Sequence, residues 1–428
     1  MKNLLYDILL HISILIAAPY FFFKMLTSHK YRHGLMERFG IYPAGLFDRF
    51  RGGRTVWFHA ISVGETKAAV PVLRALRQRH PGLHIFFSTV TQTGRRTAEQ
   101  ECQGLIDGLV YFPLDLSWVV ASVIRRLKPA VFVTVEKDIW PNTFTRLASA
   151  GVPVVIINGT LSDRSARRFE RFGFFFKDVF GCVSAFCART PEDGTKAALV
   201  GIAPERIHTT GNIKFDIHPA AIDKKAAGVF AAALGLRQGE PVFTAGSTHA
   251  GEEETILRVY AQLLRRVEGL RLVLAPRHPE RFNEAEALVK KSGLAYGRRT
   301  QGPTDGVVIL DTVGELMTVW SFTDVAFVGG SLVPGIGGHN LLEPAFFGRP
   351  VVCGTHLSAY LSMAELLEAA GGGGRVADEA ALLDTLTQIL TDKGRCVRMG
   401  AAAKSVVEAN RGAAVKTVEI IEGFMPGV

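Results

Sequence analysis

Residues 325–354, VAFVGGSLVPGIGGHNLLEPAFFGRPVVCG, contain the pattern that decides the fold. The stretch begins with an apolar run typical of a buried strand, passes through a glycine-rich loop, and enters a short helix after His339 and Asn340. Together these elements predict an anion site, because glycine permits close backbone approach and the first helical N–H groups favour phosphate. Taken alone, the stretch is equally consistent with a tight loop in a large α/β protein.

The same alternation of strand and helix extends to both sides of this stretch. Short apolar runs alternate with amphipathic segments over residues 54–157, and a second series begins at residue 242. We therefore predict an α/β protein of the GT-B type, with two Rossmann-like, doubly wound domains that face a central cleft. The predicted boundaries are an N-terminal anchor at 1–33, a first domain at 34–216, a linker at 217–228 and a second domain at 229–428, closed by helices near 382–390 and 397–410.

The most apolar part of the chain is residues 4–26, LLYDILLHISILIAAPYFFFKML. Because it contains Asp7 and Lys24, it is marginal as a membrane span, and a helix lying in the interface is the alternative. Lys30, Arg32 and Arg38 follow it, whereas only Lys2 precedes it. The positive-inside rule then predicts a single retained anchor in the inner membrane, with the catalytic domains in the cytoplasm.

Charge gives a coarse indication of partners. The net charge of +9 suits an anionic membrane surface or phosphorylated substrates, and the scattered basic residues carry no nucleic-acid motif. Residues 167–177, RRFERFGFFFK, interleave basic and aromatic side chains, which predicts either a headgroup-binding surface or a core-facing helix. We expect no nucleic-acid partner and no obligate protein partner.

Candidate catalytic residues of the first domain follow its strands. Glu65 stands where a strand and a tight turn lead into a helix, so it is either a base or a residue that complements the helix dipole. His59 precedes it and is either catalytic or a core histidine. Glu136 and Asp138 follow another strand and would hold an acceptor hydroxyl or structure the loop. Lys214 ends the domain and would bind the donor, through the carboxylate of a sugar acid or through a phosphate.

Three loops of the second domain also follow strands. The first loop contains Ser247 and Thr248 and predicts a second anion site. The second loop contains Arg277, which would bind phosphate through two hydrogen bonds. Residues 311–316 form the third loop. Together with the opening stretch, these loops predict a nucleotide-sugar site. No cluster has metal-ligand spacing, so neither a metal nor another cofactor is expected, although His249, His278 and His339 lie near one edge.

Several blocks together resemble the Kdo transferases of lipopolysaccharide synthesis, which move 3-deoxy-D-manno-octulosonic acid (Kdo) from CMP-Kdo to the lipid A precursor. The resemblance covers nearly the whole chain and rests on HAISVGE (59–65), IWPN (139–142), GNIKFD (211–216), AGSTHAGEE (245–253), APRHPER (275–281), DTVGEL (311–316) and GGHNLLEPAFFGRPVV (337–352). It implies a GT-B fold, inverting and metal-independent transfer, and Glu65 as the base. It also implies that CMP is bound by Pro276, Arg277, Gly314, Glu315, Leu316, Asn340, Leu341, Leu342 and Glu343.

The chain departs from the family pattern at three places. Glu136-Lys137-Asp138 replaces Glu-Thr-Glu, Thr160 stands where the family has an Arg, and Thr355-His356 with Ala359-Tyr360 replaces a Pro and a later Asn-Phe. The first two concern the acceptor, and the third concerns the end of the donor pocket. A GT-B enzyme that uses a UDP-sugar and a membrane-tethered nucleotide-binding protein without activity remain the alternatives.

Overall fold

The computed structural model describes residues 2–27, 34–216, 222–358 and 360–425. The chain forms two compact units, one made of residues 1–216 and 411–428 and the other of residues 217–410. Each unit is built on its own seven-stranded sheet, and all strand pairs in both sheets are parallel. The predicted α/β architecture with two doubly wound sheets is therefore confirmed.

The sheet of the first unit has the strand order β3-β2-β1-β4-β5-β6-β7. Its strands are β1 (Thr55–His59), β2 (His84–Thr89), β3 (Gly108–Tyr111), β4 (Val131–Val135), β5 (Val154–Gly159), β6 (Val183–Ala188) and β7 (Ile207–Thr209). β1 and β4 are buried along their whole length, as expected for parallel strands covered on both faces. Because the strand order reverses between β1 and β4, the loops after these two strands define the crevice in which ligands of such sheets bind.

Two helices of the first unit precede its strands, and the others up to α9 follow strands of its sheet. They are α1 (Lys2–Thr27), α2 (Leu35–Arg38), α3 (Val63–Arg79), α4 (Gln92–Glu101), α5 (Ser117–Leu127), α6 (Pro141–Ser149), α7 (Asp163–Arg171), α8 (Gly173–Phe180) and α9 (Pro191–Leu199). Short 3₁₀ turns occur at Leu46–Phe50, Pro204–Arg206 and Ile213–Phe215. Separate apolar clusters, one around Trp57 and Phe132 and another around Phe58 and Val133, show that both faces of the sheet are covered.

The second sheet has the order β10-β11-β9-β8-β12-β13-β14, and its order reverses between β8 and β12. The strands are β8 (Val242–Thr248), β9 (Arg271–Pro276), β10 (Tyr296–Arg298), β11 (Val307–Ile309), β12 (Val325–Val328), β13 (Val351–Gly354) and β14 (Gly373–Val376). The helices are α10 (Lys224–Ala233), α11 (Glu252–Leu263), α12 (Phe282–Lys291), α13 (Leu316–Phe322), α14 (Leu342–Phe346), α15 (Leu361–Ala369), α16 (Glu379–Thr391) and α17 (Lys393–Ala409), with 3₁₀ turns at Pro279–Arg281 and Arg299–Gln301.

The predicted linker at 217–228 is only partly a connection. Residues 217–221 lie outside the described residues, whereas α10 begins at Lys224. Asp223 explains the early start, because its carboxylate accepts a hydrogen bond from the backbone N–H of Lys225 and caps an alanine-rich segment.

The end of the chain differs from the sequence prediction, which assigned residues up to 428 to the second domain. A final helix, α18 (Ala413–Glu422), packs against α3 and belongs to the first unit. Its apolar residues, Val418 and Ile421 among them, are buried with Val72 in one cluster. Only three residues, Asn410, Arg411 and Gly412, separate this helix from α17, so its pattern alone could not reveal that it belongs to the other unit.

Asp216 fastens α18 to the first unit. Its two carboxylate oxygens accept hydrogen bonds of 2.6 Å from the N–H groups of Gly412 and Ala414, and the side chain is 4% exposed. We expect Asp216→Asn to lower the free energy of unfolding by about 1–3 kcal/mol, because an amide offers only one acceptor for two buried donors. Denaturant titration measures this. The matched control, Asp223→Asn, caps α10 equally well and should be near neutral. Equal effects of the two changes would contradict the role of Asp216.

The N-terminal helix α1 is held to the first unit by polar contacts near its start. Asp7 accepts hydrogen bonds from the backbone N–H and hydroxyl of Ser117 and from the amide of Asn142, at 2.7–3.1 Å. Tyr6 donates to Asp115. Leu15, Ile16 and other apolar side chains of α1 are exposed. Asp7, which made the segment marginal as a span, thus caps the first turn of α5.

Among the described residues, no helix combines the length and apolarity that a membrane crossing requires. Lys30 and Arg32, on which the prediction of orientation partly depended, lie outside the described residues. The stretch 167–177 forms parts of α7 and α8 and shows both predicted characters: Phe169 is buried in the core, whereas Phe172 and Phe174 are exposed.

Candidate active site

The switch point of the first sheet brings together four of the residues predicted from sequence. Glu65 follows β1, Glu136 and Asp138 follow β4, and Lys214 lies in the 3₁₀ turn after β7. Glu136 and Asn158, at the ends of β4 and β5, adopt positive φ angles of 63° and 52°. Such angles are costly for residues with a side chain and are concentrated at functional sites.

Glu65 is the third residue of α3 and completes a capping box with Ser62. Its Oε2 accepts hydrogen bonds from the backbone N–H groups of Ile61 (2.7 Å) and Ser62 (2.9 Å). The side chain is 9% exposed. Burial raises the pKa of Glu65 above its ordinary value, the hydrogen bonds from Ser62 and Ile61 oppose the rise, and the charge of Glu136 adds to it. The structure therefore shows Glu65 as a helix cap, and its burial makes its carboxylate more basic than an exposed one; its role as the catalytic base stays a prediction.

Glu136 is bound on both sides by polar groups of the same unit. Its Oε1 accepts from Lys214 Nζ at 2.9 Å and from the amide of Asn158 at 3.5 Å. Asn158 in turn accepts from the backbone N–H of Ile213 at 3.0 Å, which ties β5 to the segment that contains Lys214. Lys214 was predicted to bind the donor, but the structure places it among the first-unit carboxylates and pairs its charge with Glu136.

Asp138 is the most perturbed carboxyl group of this cluster. Burial raises its pKa to about 8, and the neighbouring charges of Glu65 and Glu136 contribute further. Its Oδ2 is buried, and no hydrogen-bond partner for it is found among the residues that the structure describes. A buried carboxyl group beside two others favours the protonated state, so Glu65 and Asp138 titrate as a pair.

His59 lies at the end of β1 and is fully buried. Its ring stacks on Phe112 with centroids 3.8 Å apart, and Nδ1 lies 3.1 Å from the backbone oxygen and the hydroxyl oxygen of Ser88. Burial lowers the pKa of His59 to about 3, so the ring is neutral in the working pH range. These contacts favour the core-histidine interpretation, in which His59 shapes the floor beneath the carboxylates.

Glu252, at the start of α11, binds the first part of the glycine-rich loop within residues 325–354. Its fully buried carboxylate accepts four backbone hydrogen bonds of 2.7–3.0 Å, from His249, Gly330, Ser331 and Leu332. A Cβ on Gly329 would lie 2.8 Å from its Oε2, which explains that glycine. The N–H groups of residues 330–332 therefore bind an anion that the chain itself supplies, whereas the predicted phosphate site of this loop stays a prediction.

The second anion site, predicted at Ser247 and Thr248, also differs from the prediction because of hydrogen bonds within the chain. Ser247 has a positive φ of 57°, the strained geometry of a switch-point residue. The hydroxyl of Thr248 is buried and donates to Glu253, whose carboxylate also accepts from Arg281 at 2.6 Å. The Thr248 hydroxyl therefore has a structural role, which corrects the prediction that it faces a ligand.

The other residues predicted to bind the donor surround the same edge of the second sheet. Pro276 ends β9, and Arg277 follows it with an exposed side chain. Gly314, with φ of 94°, and Glu315 precede α13, which begins at Leu316; Glu315 accepts from Thr312 and lies 3.4 Å from the guanidinium of Arg299.

The segment from Asn340 to Glu343 forms the N-terminus of α14. Asn340 donates to Glu343 at 3.2 Å and accepts from the N–H of Leu342 at 3.1 Å. The side chains of Leu341 and Leu342 are fully buried, so only their backbone faces a ligand. Of the family departures, Ala359 lies outside the described residues.

The structure assigns roles that sequence reasoning did not give to Asn158, Glu252 and the pair His249–His339, whose Nε2 atoms are 2.7 Å apart. His249, Glu252 and His339 stood within quoted motifs and Asn158 did not, but the contacts of all four join segments that are distant in sequence. No group of His, Cys, Asp or Glu in the described ranges is arranged to hold a metal ion.

Solved structures define the class of the fold. A glycosyltransferase from Rickettsia africae superposes with a TM-score of 0.61 at 13% identity, covering 88% of this chain and 100% of that one. A UDP-GlcNAc 2-epimerase from Neisseria meningitidis gives a TM-score of 0.58 at 14% identity, covering 87% and 99%. At these identities the likeness concerns the fold alone, which is GT-B-like.

Sequence comparison then identifies the family. The family model for 3-deoxy-D-manno-octulosonic-acid transferase matches residues 33–217. A 3-deoxy-D-manno-octulosonic acid transferase of Haemophilus influenzae is 34% identical over 405 residues, which cover 94% of this chain and 93% of that protein. The Bordetella pertussis enzyme is 31% identical over 382 residues, covering 86% and 87%. The chain belongs to the Kdo transferase family and is a glycosyltransferase, as the motifs predicted.

Proposed function

We propose that this enzyme transfers Kdo from CMP-Kdo to a lipid A precursor by an inverting, metal-independent reaction in which Glu65 is the general base. The observation that carries the proposal is the buried carboxylate of Glu65 at the switch point of the first sheet, beside Glu136 and Asp138. The relatives that support the sugar are 3-deoxy-D-manno-octulosonic acid transferases, and their similarity covers most of the chain.

The chemistry divides between the two units. Glu65 takes the proton of an acceptor hydroxyl, whose oxygen attacks the anomeric carbon of Kdo as the bond to the CMP phosphate breaks. General-base catalysis of this kind contributes about 10²–10⁴-fold. In the second unit, Arg277 and the backbone at the start of α14 stabilise the charge that develops on the leaving phosphate. We infer that Glu343 and Glu315, which accept hydrogen bonds from Asn340 and Thr312, also accept hydrogen bonds from the nucleoside.

We also propose that the enzyme acts at the cytoplasmic face of the inner membrane, with α1 as its attachment. The exposed apolar face of α1 supports this, together with exposed Trp118, Phe172 and Phe174 of the same unit. Flotation with vesicles of anionic phospholipid tests the attachment, with a chain lacking residues 1–27 as the comparison. Equal flotation of both chains would overturn this part of the proposal.

The reaction is tested with purified protein, CMP-Kdo and a tetra-acylated lipid A precursor, read by mass spectrometry. We expect one or more Kdo mass increments. A folded protein that binds CMP but gives no increment would refute the acceptor assignment, and stronger protection by UDP than by CMP in thermal unfolding would favour a UDP-sugar donor instead.

The pH profile is expected to depend on Glu136. Since Glu65 must be ionised to act as a base, activity falls as pH decreases through the pKa of Glu65, which burial and the charge of Glu136 raise. Glu136→Gln removes that charge and should move the acid limb of kcat/KM to lower pH. The exposed Asp48→Asn serves as the control. An unmoved acid limb in Glu136→Gln would show that the charge of Glu136 does not affect the base.

The raised pKa of Asp138 gives the stability of the protein a pH dependence of defined sign. Because the pKa of Asp138 is raised from 3.8 to about 8 on folding, the native state holds a proton that the unfolded state releases within this range. The free energy of unfolding therefore falls as pH rises through that window, and Asp138→Asn should remove this contribution to its pH dependence.

A further inference from the structure

Two histidines flank the switch point of the second sheet. His249 follows β8 and His339 follows β12, the strands between which the strand order reverses. Their rings stack at 7° with centroids 5.0 Å apart, and their Nε2 atoms are separated by 2.7 Å. The His278 ring lies 5.3 Å from that of His249, nearly perpendicular to it. Gly330 makes room for the pair, because a Cβ there would approach the His339 ring to 3.0 Å.

The location of this pair matters because the nearby backbone donors are already used. Glu252 occupies the N–H groups of residues 330–332 and of His249. A phosphate that binds at this edge of the second sheet therefore needs other hydrogen-bond donors. The two imidazoles and the exposed guanidinium of Arg277, whose backbone N–H is bonded to Thr248, are available on the adjoining loops.

The hydrogen bond between the two rings limits the number of protons that the pair can bind. A separation of 2.7 Å requires one N–H between the two Nε2 atoms, with one ring as donor and the other as acceptor. One added proton leaves this hydrogen bond intact and makes both Nδ1 atoms donors. A second proton would set two N–H groups against each other. The neutral pair can therefore bind one additional proton but not two.

Nearby charges keep that proton off in the free enzyme. Burial lowers the pKa of His339 to about 4, and His249, Arg277 and His278 lower it further. Burial also lowers the pKa of His249; Glu252 opposes this, whereas His278, Arg281 and Arg277 reinforce it. A bound anion reverses the local potential and favours the protonated pair.

We propose that the His249–His339 pair, together with Arg277, binds the phosphate of the nucleotide and takes up one proton when that phosphate binds. This rests on the proposed function, since the nucleotide is the CMP moiety of the donor. When the bond between the sugar and the phosphate oxygen breaks, its electron pair stays on the phosphate, whose charge rises from −1 to −2. The acceptor proton goes to Glu65, and the singly protonated pair faces the more highly charged product.

The test is calorimetric titration of the full chain with CMP at pH 7.5, repeated in buffers of different ionisation enthalpy. We expect wild-type protein to take up protons on binding CMP but not on binding cytidine, which lacks the phosphate. His249→Gln and His339→Gln should each lose this uptake and bind CMP about 10–100-fold more weakly, as expected for loss of a charge-assisted hydrogen bond. Their cytidine affinity should be unchanged. His208→Gln, an exposed histidine of the first unit, is the control.

The outcomes separate this inference from the proposed function. If CMP binds without proton uptake and equally well to the variants, the phosphate site is elsewhere while the donor assignment stands. If wild-type protein does not bind CMP, the donor assignment itself fails. Should the variants not fold, NMR titration of the histidine C–H resonances in wild-type protein decides, since CMP must raise the pKa of the pair and cytidine must not.

Discussion

Glu65→Gln is expected to reduce turnover by about 10²–10⁴-fold while leaving CMP affinity unchanged. Glutamine cannot take the acceptor proton, but its amide oxygen can still accept the hydrogen bonds from Ile61 and Ser62 that cap α3. Glutamine is therefore a better test than alanine, which would also cost about 0.5–2 kcal/mol through loss of the cap.

Single-turnover product formation and CMP titration are measured together for this variant. The control is Glu101→Gln, because Glu101 is an exposed glutamate at the end of α4 whose ion pair with Lys67 lies on the surface. Normal turnover by a folded Glu65→Gln enzyme would remove Glu65 from the role of base and leave it only the role of helix cap.

Arg277→Ala is expected to lower kcat by about 10²–10³-fold, the usual cost of removing a donor that stabilises developing charge. Arg277→Lys should recover part of the loss, because lysine keeps the charge but cannot form two parallel hydrogen bonds to a phosphate. The exposed Arg265→Ala in the same unit controls for the change in net charge.

Steady-state kcat and KM for CMP-Kdo distinguish the possible roles of Arg277. A loss confined to KM would mean that the guanidinium contributes equally to substrate and transition-state binding. A loss in neither parameter would remove Arg277 from the donor site, and the proposed phosphate site at the histidines would then have to act without it.

Much of the fold could be predicted because its signals are local. Apolar runs such as 131–135 and 325–328 are buried strands, and the residues that follow them stand at the ends of the strands. Since carboxyl ends of parallel strands lie on one edge, Glu65, Glu136 and Asp138 could be predicted to lie together once the sheet was recognised.

The sequence could not show which hydrogen-bond and ion-pair partners these side chains have. Thr248 and Glu252 stand in a glycine-rich loop that reads as open to a ligand, yet both are satisfied by groups within the second unit. Lys214 reads as a donor-binding cation, yet Glu136 pairs with it from a strand end 78 residues earlier in the chain. Such choices depend on three-dimensional proximity and on the cost of leaving buried polar groups unpaired, neither of which has a local pattern.

The packing of α18 against α3 has a consequence for the order in which the enzyme is made. Glu65 lies in the first turn of α3, and the helix that covers α3 is not synthesised until residue 422. A ribosome-bound chain therefore lacks the α18 part of this apolar cluster, with Val418 and Ile421, while the whole second unit is being translated. The first unit is completed last, so we expect a chain that ends before α18 to leave part of that unit's core unfilled.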